Sequence, residues 1–275
     1  MLRVITNSSF KTWLLEHGKV FKTSDKHDSG NISYGVITAE NKKHFIKFAA
    51  FTNKQACEFL LNACKIAKEV QHPILTKFNY YVECSDGIAV VYDWTEAESI
   101  NEVTIVSKLN SKLTREHPHS PYSRLKALPV PKILSILNKI IHLHLKIEEA
   151  GYISSDWYDG CLMYDFSHDL LYIMDLDIYH KGSFTNTMGR MLGSSRFMAP
   201  EEFELNAIID VRTMVYHMGA TVFELLGKGK KKLQEGFRGN KEQFLIALKA
   251  ISKNKENRYQ SVREFYFDWI EALEY

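Results

Sequence analysis

At 275 residues the chain can bury one large core or two modest lobes, and its make-up, 45% hydrophobic and 25% charged, is that of an ordinary globular protein. A net charge of +2 is too small to point to nucleic acid or to an anionic membrane surface as a partner. No apolar run approaches the roughly 18 residues of a membrane span, and residues 1–19 lack the apolar stretch and cleavage site of a secretory signal, so neither is expected.

Residues 1–18 read as a short leading helix with Phe10, Trp13 and Leu14 on its apolar side. Short β-type runs follow at Val20-Phe21, Ile32–Thr38 and His44–Phe48, separated by Asp28-Ser29-Gly30 and Glu40-Asn41-Lys42-Lys43 turns. From Asn53 to Gln71, apolar residues recur at Ala56, Phe59, Leu60, Ala63, Ile66, Ala67 and Val70, which predicts a helix with one buried stripe, ended by His72-Pro73. Ile74–Glu83 and Gly87–Trp94 read as two more strands. Five strands and one helix therefore make a small β-rich lobe over residues 1–94.

The second part, residues 95–275, opens with a polar, irregular segment to Pro131 in which Pro118, Pro121 and Pro129 preclude a long helix. Lys132–Glu149 is strongly helical, with Ile133, Leu137, Ile140, Ile141 and Leu145 in register. Asp210–Leu226 reads as a buried helix, and Lys241–Ser252 and Ser261–Glu274 as two more. The expected class is α+β, a small β-rich lobe followed by a larger helical one. Cys57, Cys64, Cys84 and Cys161 show no paired or metal-finger spacing, so they are expected to be buried free thiols in a reducing cytoplasm. His142 and His144, two apart on a helix, face different directions and make no metal pair. The lysine-rich run 228–232 reads as a solvated loop.

The most informative stretch runs from Gly151 to Glu201. Asp156 and Asp159 sit in a loop. The apolar runs Cys161–Tyr164 and Leu170–Met174 then flank a polar turn, which predicts a hairpin ending in Asp175-Leu176-Asp177. Carboxylates gathered at one hairpin end suit metal and phosphate chemistry. Downstream come Gly193-Ser-Ser-Arg-Phe-Met-Ala-Pro-Glu201, then Asp210 at the start of a helix, and Asn257-Arg258-Tyr259 near the end.

In this order and at this spacing, these motifs resemble those of the eukaryotic-like (Hanks-type) serine/threonine protein kinases. They resemble in particular a divergent branch of small kinase-like proteins from Gram-positive bacteria, with an Asp-x-Tyr-Asp-Gly loop and Asp-x-Asp for Asp-Phe-Gly. The resemblance covers essentially all the chain after about residue 19. It implies a bilobal kinase fold, ATP with Mg²⁺ or Mn²⁺, a protein substrate, and transfer of the γ-phosphoryl to a serine or threonine hydroxyl. Asp156 would be the catalytic-loop aspartate and Asp175 the metal-binding one. Glu201 and Arg258 would form a structural ion pair, and Asp210 would anchor the catalytic loop.

In the first lobe, His44-Phe-Ile-Lys47 resembles the strand whose lysine holds the α- and β-phosphates, with Glu58 as its helix partner. Gly30 and Gly35 fall where the nucleotide-covering loop belongs, but two glycines at this spacing depart from the family's three, and a plain hairpin turn explains them equally well. Tyr92-Asp93-Trp94 falls at the hinge, with the backbone of Asp93 and Trp94 set to bond adenine. The sequence departs from the family at Ser154-Ser155, at Tyr158 and at Cys161, where a soft thiol replaces the second metal ligand. Asp159 or Asp177 is the expected source of the missing oxygen. Without an arginine before Asp156, phosphate on Thr185 or Thr187 would need Arg190 or Arg196 as partner. Two alternatives stay open: a pseudokinase acting as a binding or scaffolding module, and a small-molecule kinase, the latter opposed by the Ala-Pro-Glu segment.

Overall fold

The computed structural model describes residues 2–24, 30–101, 105–106, 111–112, 114–228 and 234–273. It is a mixed α+β structure that divides into two compact units: Met1–Glu96 with Asp175–Ile178, and Ala97–Met174 with Tyr179–Tyr275.

The first unit contains β1 (Leu2–Ile5), α1 (Phe10–His17), β2 (Lys19–Ser24), β3 (Ile32–Ile37), β4 (Lys43–Ala50), α2 (Lys54–Glu69), β5 (Phe78–Glu83) and β6 (Gly87–Asp93). The strands form one sheet in the order β1-β5-β6-β4-β3-β2. Every neighbouring pair is antiparallel except β1 and β5, which run parallel. Side chains alternate across a strand, and here both faces are covered. Val36, Ile46, Ala89 and Val91 meet Phe10 and Leu14 of α1. Ala49, Ile88 and Val90 meet Ala56, Leu60 and Cys64 of α2. Lys47 stands opposite Val90 in the β4–β6 register and two residues from Ala49, and so shares the face covered by α2.

The leading helix is shorter than the sequence suggests. Leu2-Arg-Val-Ile pairs with β5 as an edge strand, and α1 starts only at Phe10, where the Ser9 hydroxyl accepts from the Thr12 N–H. The apolar residues at Phe10, Trp13 and Leu14 do belong to the helix; the branched residues before it satisfy their backbone in the sheet.

In the second unit the segment after residue 97 is less irregular than expected. Pro121 opens a short helix, α3 (Pro121–Lys126), from its first turn, with Ser120 as cap. Proline breaks a helix interior but suits that position. The long helix α4 spans Val130–Glu149. The hairpin Leu162–Asp165/Leu170–Ile173 pairs antiparallel, Leu162 facing Ile173 and Asp165 facing Leu170, and Glu98–Ser99 adds a third strand. Helices α5 (Val211–Leu226), α6 (Lys241–Ala250) and α7 (Val262–Glu271) complete the unit. No described helix is long and apolar enough to cross a membrane. The predicted run 229–232 and the end of the last predicted helix lie outside the described residues.

Candidate active site

In the first unit the centre is Lys47, a lysine only 5% exposed in the middle of β4. Its ammonium contacts the Asp175 carboxylate and donates to Asp177 Oδ2 at 2.7 Å. Burial alone would lower the lysine pKa, but the charges of Asp175 and Asp177 outweigh it and hold the group above the ordinary lysine value. Asp175 sits at φ 63°, in the left-handed region. Aspartate tolerates that region better than most residues, at a cost that tends to persist where the geometry serves a purpose.

Glu58 is not the partner of Lys47. It lies on the exposed side of α2, whereas Cys57, Leu60 and Cys64 form the buried stripe. The helix reaches the lysine cluster through Asn62, which donates to the backbone oxygen of Asp177 at 2.9 Å.

At the expected hinge, Asp93 ends β6 and Trp94 follows it. The Asp93 N–H donates to the Lys77 carbonyl and the Trp94 N–H to that of Lys43, so both amides are used within the sheet. The Asp93 side chain accepts from Asn79 and faces Lys42 and Lys77. Gly35 lies inside β3 rather than in a loop. A Cβ there would come within 2.7 Å of the Phe21 ring and 2.9 Å of the Trp94 ring, which meet edge to face across it. Gly35 thus makes room for aromatic packing. Gly30, at φ 72°, does occupy the loop before β3, while Asp28 and Ser29 lie outside the described residues.

In the second unit Asp156 also adopts a left-handed conformation, at φ 57°. The loop that carries it is held on both sides by α5. The Ser154 hydroxyl lies 2.9 Å from His217 Nδ1, and Trp157 Nε1 donates to Thr221 Oγ1 at 2.9 Å. His217 Nε2 is 2.8 Å from the Glu202 carboxylate, and all three members of the Ser154–His217–Glu202 chain are buried. The tautomer that serves both partners has Nε2–H donating to Glu202 and Nδ1 accepting a hydrogen bond from the Ser154 hydroxyl. Asp210, expected to anchor this loop, instead caps α5 and pairs with Arg212 and Lys255. Its place as anchor is taken by His217 and Thr221 on the same helix.

Asp159 cannot serve as the extra metal oxygen. It is 1% exposed, Arg196 forks onto both its oxygens at 2.9 and 3.0 Å, and Arg115 contacts it as well. Both arginines also reach Glu224. Arg196 is therefore committed to carboxylates, and Arg190 donates to the carbonyls of Met191 and Gly193. Cys161 is buried, its sulfur 3.5 Å from the Asp156 carbonyl oxygen. Mg²⁺ prefers hard oxygen and keeps several waters, so one or two carboxylates with phosphate oxygens suffice to hold it. Of the three candidate ligands, Asp175 fits that demand, its side chain being 45% exposed. Among the described residues no three His, Cys, Asp or Glu side chains converge as a metal cage. His144 is turned to the Ile140 carbonyl and the Tyr179 hydroxyl and His142 to the Tyr266 ring, so they are not a pair.

The Glu201–Arg258 pair is present as expected. Two bonds of 2.7 and 2.9 Å join them, both residues are buried, and Thr213 donates a third bond to Glu201 at 2.8 Å.

No protein-family model matches the chain, and no curated protein does.

Several residues at the site went unread in the sequence. His217 and Thr221 carry a visible signal, polar residues four apart within the mainly apolar stretch Met214–Phe223. Asn62 sits four residues after Glu58, nearer the buried stripe. Arg115 and Glu224 carry none, because their role depends on segments brought together only in three dimensions.

Proposed function

We propose that the chain is a phosphotransferase of the protein-kinase type, with a bilobal arrangement of residues 1–94 and 95–275, acting in the cytoplasm. It moves the γ-phosphoryl of ATP to a serine or threonine hydroxyl of a protein. The observation that carries this reading is the buried strand lysine, Lys47, held by carboxylates of the Asp175-Leu-Asp177 turn. Lysine placed on a sheet beside a half-exposed aspartate is the donor set that polyphosphate and its counter-cation require. The buried pair of Arg258 with Glu201, the glutamate of the Ala-Pro-Glu segment, adds support.

In this reading Lys47 binds the nucleotide phosphates and Asp175 supplies the carboxylate for Mg²⁺ or Mn²⁺. When bound, the cation neutralises charge that builds on the phosphoryl oxygens. Asp156 accepts the hydrogen bond of the substrate hydroxyl, orients it, and takes its proton as the new ester forms. Ser154, His217 and Thr221 fix the loop on which Asp156 stands. The test is transfer of radiolabelled phosphate from ATP, with Mg²⁺ or Mn²⁺, to the protein itself and to a generic basic protein.

A pseudokinase reading is favoured by a separate observation: Asp159 is spent on two arginines, Cys161 is buried against the Asp156 carbonyl and Asp177 is buried on Lys47, so none of these three offers an open oxygen to a second metal. Binding of ATP, seen as a thermal shift, without any transfer would select it. Neither binding nor transfer would sink both readings, and turnover on small alcohols alone would move the acceptor from proteins to small molecules.

A further inference from the structure

Two carboxylates share the Lys47 ammonium, and they are not equivalent. The Asp175 side chain is 45% exposed and that of Asp177 only 7%. Asp177 is tied to α2 through the Asn62 bond to its backbone oxygen. Glu58, one helical turn before Asn62, is exposed. Two carboxylates face one ammonium, so with both ionised the cluster of three carries a surplus negative charge. A hydrated cation can draw on that surplus through the open carboxylate, provided the buried one stays with the lysine. A buried ammonium stripped of both partners would be strongly disfavoured.

We infer that Asp177, not a glutamate of α2, is the positioning residue that holds Lys47 for the phosphates, with Asn62 joining that anchor to the helix. This rests on the phosphotransferase reading above. Asp175 is then released to the cation while Lys47 keeps its geometry, and the Asp-x-Asp sequence divides two tasks between residues two apart.

The deciding experiment begins without nucleotide. Lysines of the folded protein are acetylated with an amine-reactive reagent and Lys47 is quantified by peptide mass spectrometry, with exposed Lys65 and Lys68 as references and the buried thiols of Cys57 and Cys64 as reporters of an intact fold. Asp177→Asn raises Lys47 acetylation by roughly tenfold or more while the thiols stay protected. In turnover with ATP the same variant loses roughly 10- to 100-fold in kcat, and adding it to Lys47→Met causes no further loss, because the two act as one unit. Should Asp177→Asn fail to fold, Asn62→Ala, which keeps the carboxylate but unties it, gives the same pattern at smaller amplitude. Unchanged Lys47 acetylation in these variants, or a rise in Glu58→Gln instead, overturns the inference whether or not the protein turns over. Wild-type protein that shows the expected acetylation pattern but transfers no phosphate overturns the phosphotransferase reading, and with it the catalytic purpose given to Asp177.

Discussion

Ser154 and His217, 63 positions apart, are joined by a 2.9 Å hydrogen bond in a part of the second unit from which solvent is excluded. The imidazole is also the partner of Glu202, so it links the loop before Asp156 to the turn Pro200–Phe203. His217→Leu removes both bonds and leaves buried polar atoms without partners. A loss of about 1–3 kcal/mol is expected in urea unfolding. Thr221→Val, which deprives the Trp157 indole of its acceptor, costs about 1 kcal/mol. Wild-type stability in both variants would show that the loop is held by other means.

The Glu201–Arg258 pair makes stability depend on pH on the acid side. Burial raises the Glu201 carboxyl, but the hydrogen bonds and charge of Arg258 outweigh it, leaving the pKa below the ordinary value of 4.5. The unfolded chain therefore takes up the proton first. The pair's contribution is complete above pH 4.5 and is lost as pH falls through the folded pKa. Asp210 behaves alike, its burial outweighed by Arg212 and Lys255. Melting temperature measured between pH 7 and 3 should fall on the acid side, and Glu201→Gln should flatten that fall. Arg258→Met, which strands the carboxylate, should cost about 3–5 kcal/mol at neutral pH.

Asp159→Asn separates a structural from a metal role. Its loss leaves Arg115 and Arg196 short of an anionic partner and should destabilise the protein by about 1.5–3 kcal/mol. The Mg²⁺ concentration giving half-maximal transfer should not move. A shift to higher Mg²⁺ would return Asp159 to the metal.

Asp156→Asn retains a residue type that accepts the left-handed backbone at φ 57°. The amide can still accept a hydrogen bond but cannot take the proton. Phosphoryl transfer is expected to fall by roughly 10²- to 10⁴-fold with little change in melting temperature. Comparable losses of activity and stability would mean that the carboxylate serves the fold.

All four cysteines are buried free thiols, and burial, with the Asp177 charge adding, pushes Cys64 up to about 12. A thiol reagent at pH 8 should therefore leave the native protein unlabelled and modify four residues in denaturant. Rapid labelling of native Cys64 would contradict the packing of α2 on the sheet.

The parts of this fold legible in the sequence are those with local causes. The apolar runs Cys161–Tyr164 and Leu170–Met174 predict the hairpin because its partners are adjacent in the chain. The stripe from Ala56 to Val70 predicts α2 because helical periodicity needs no partner. Strand β1 was misread because Leu2–Ile5 pairs with a strand that lies beyond two helices and three other strands. The choice of Glu58 followed sound chemistry, since an ammonium needs a carboxylate. The carboxylates arrive from another segment, and a side-chain amide on α2 bonds the backbone oxygen of one of those aspartates. Asp159 was misassigned because an acidic loop residue has the same appearance whether it faces a cation or two guanidinium groups.

The counter-ions of Lys47 lie 128 and 130 positions after it in the chain. During synthesis, at about 5–20 residues per second, the sheet would wait on the order of 10 s for them. Until then the lysine has to stay in water. The first 96 residues made alone would have to bury that ammonium with neither aspartate present, so α2 is expected to close over Lys47 only once residues 175–178 have emerged. A turn about two thirds of the way along the chain thus sets when its first sheet can close.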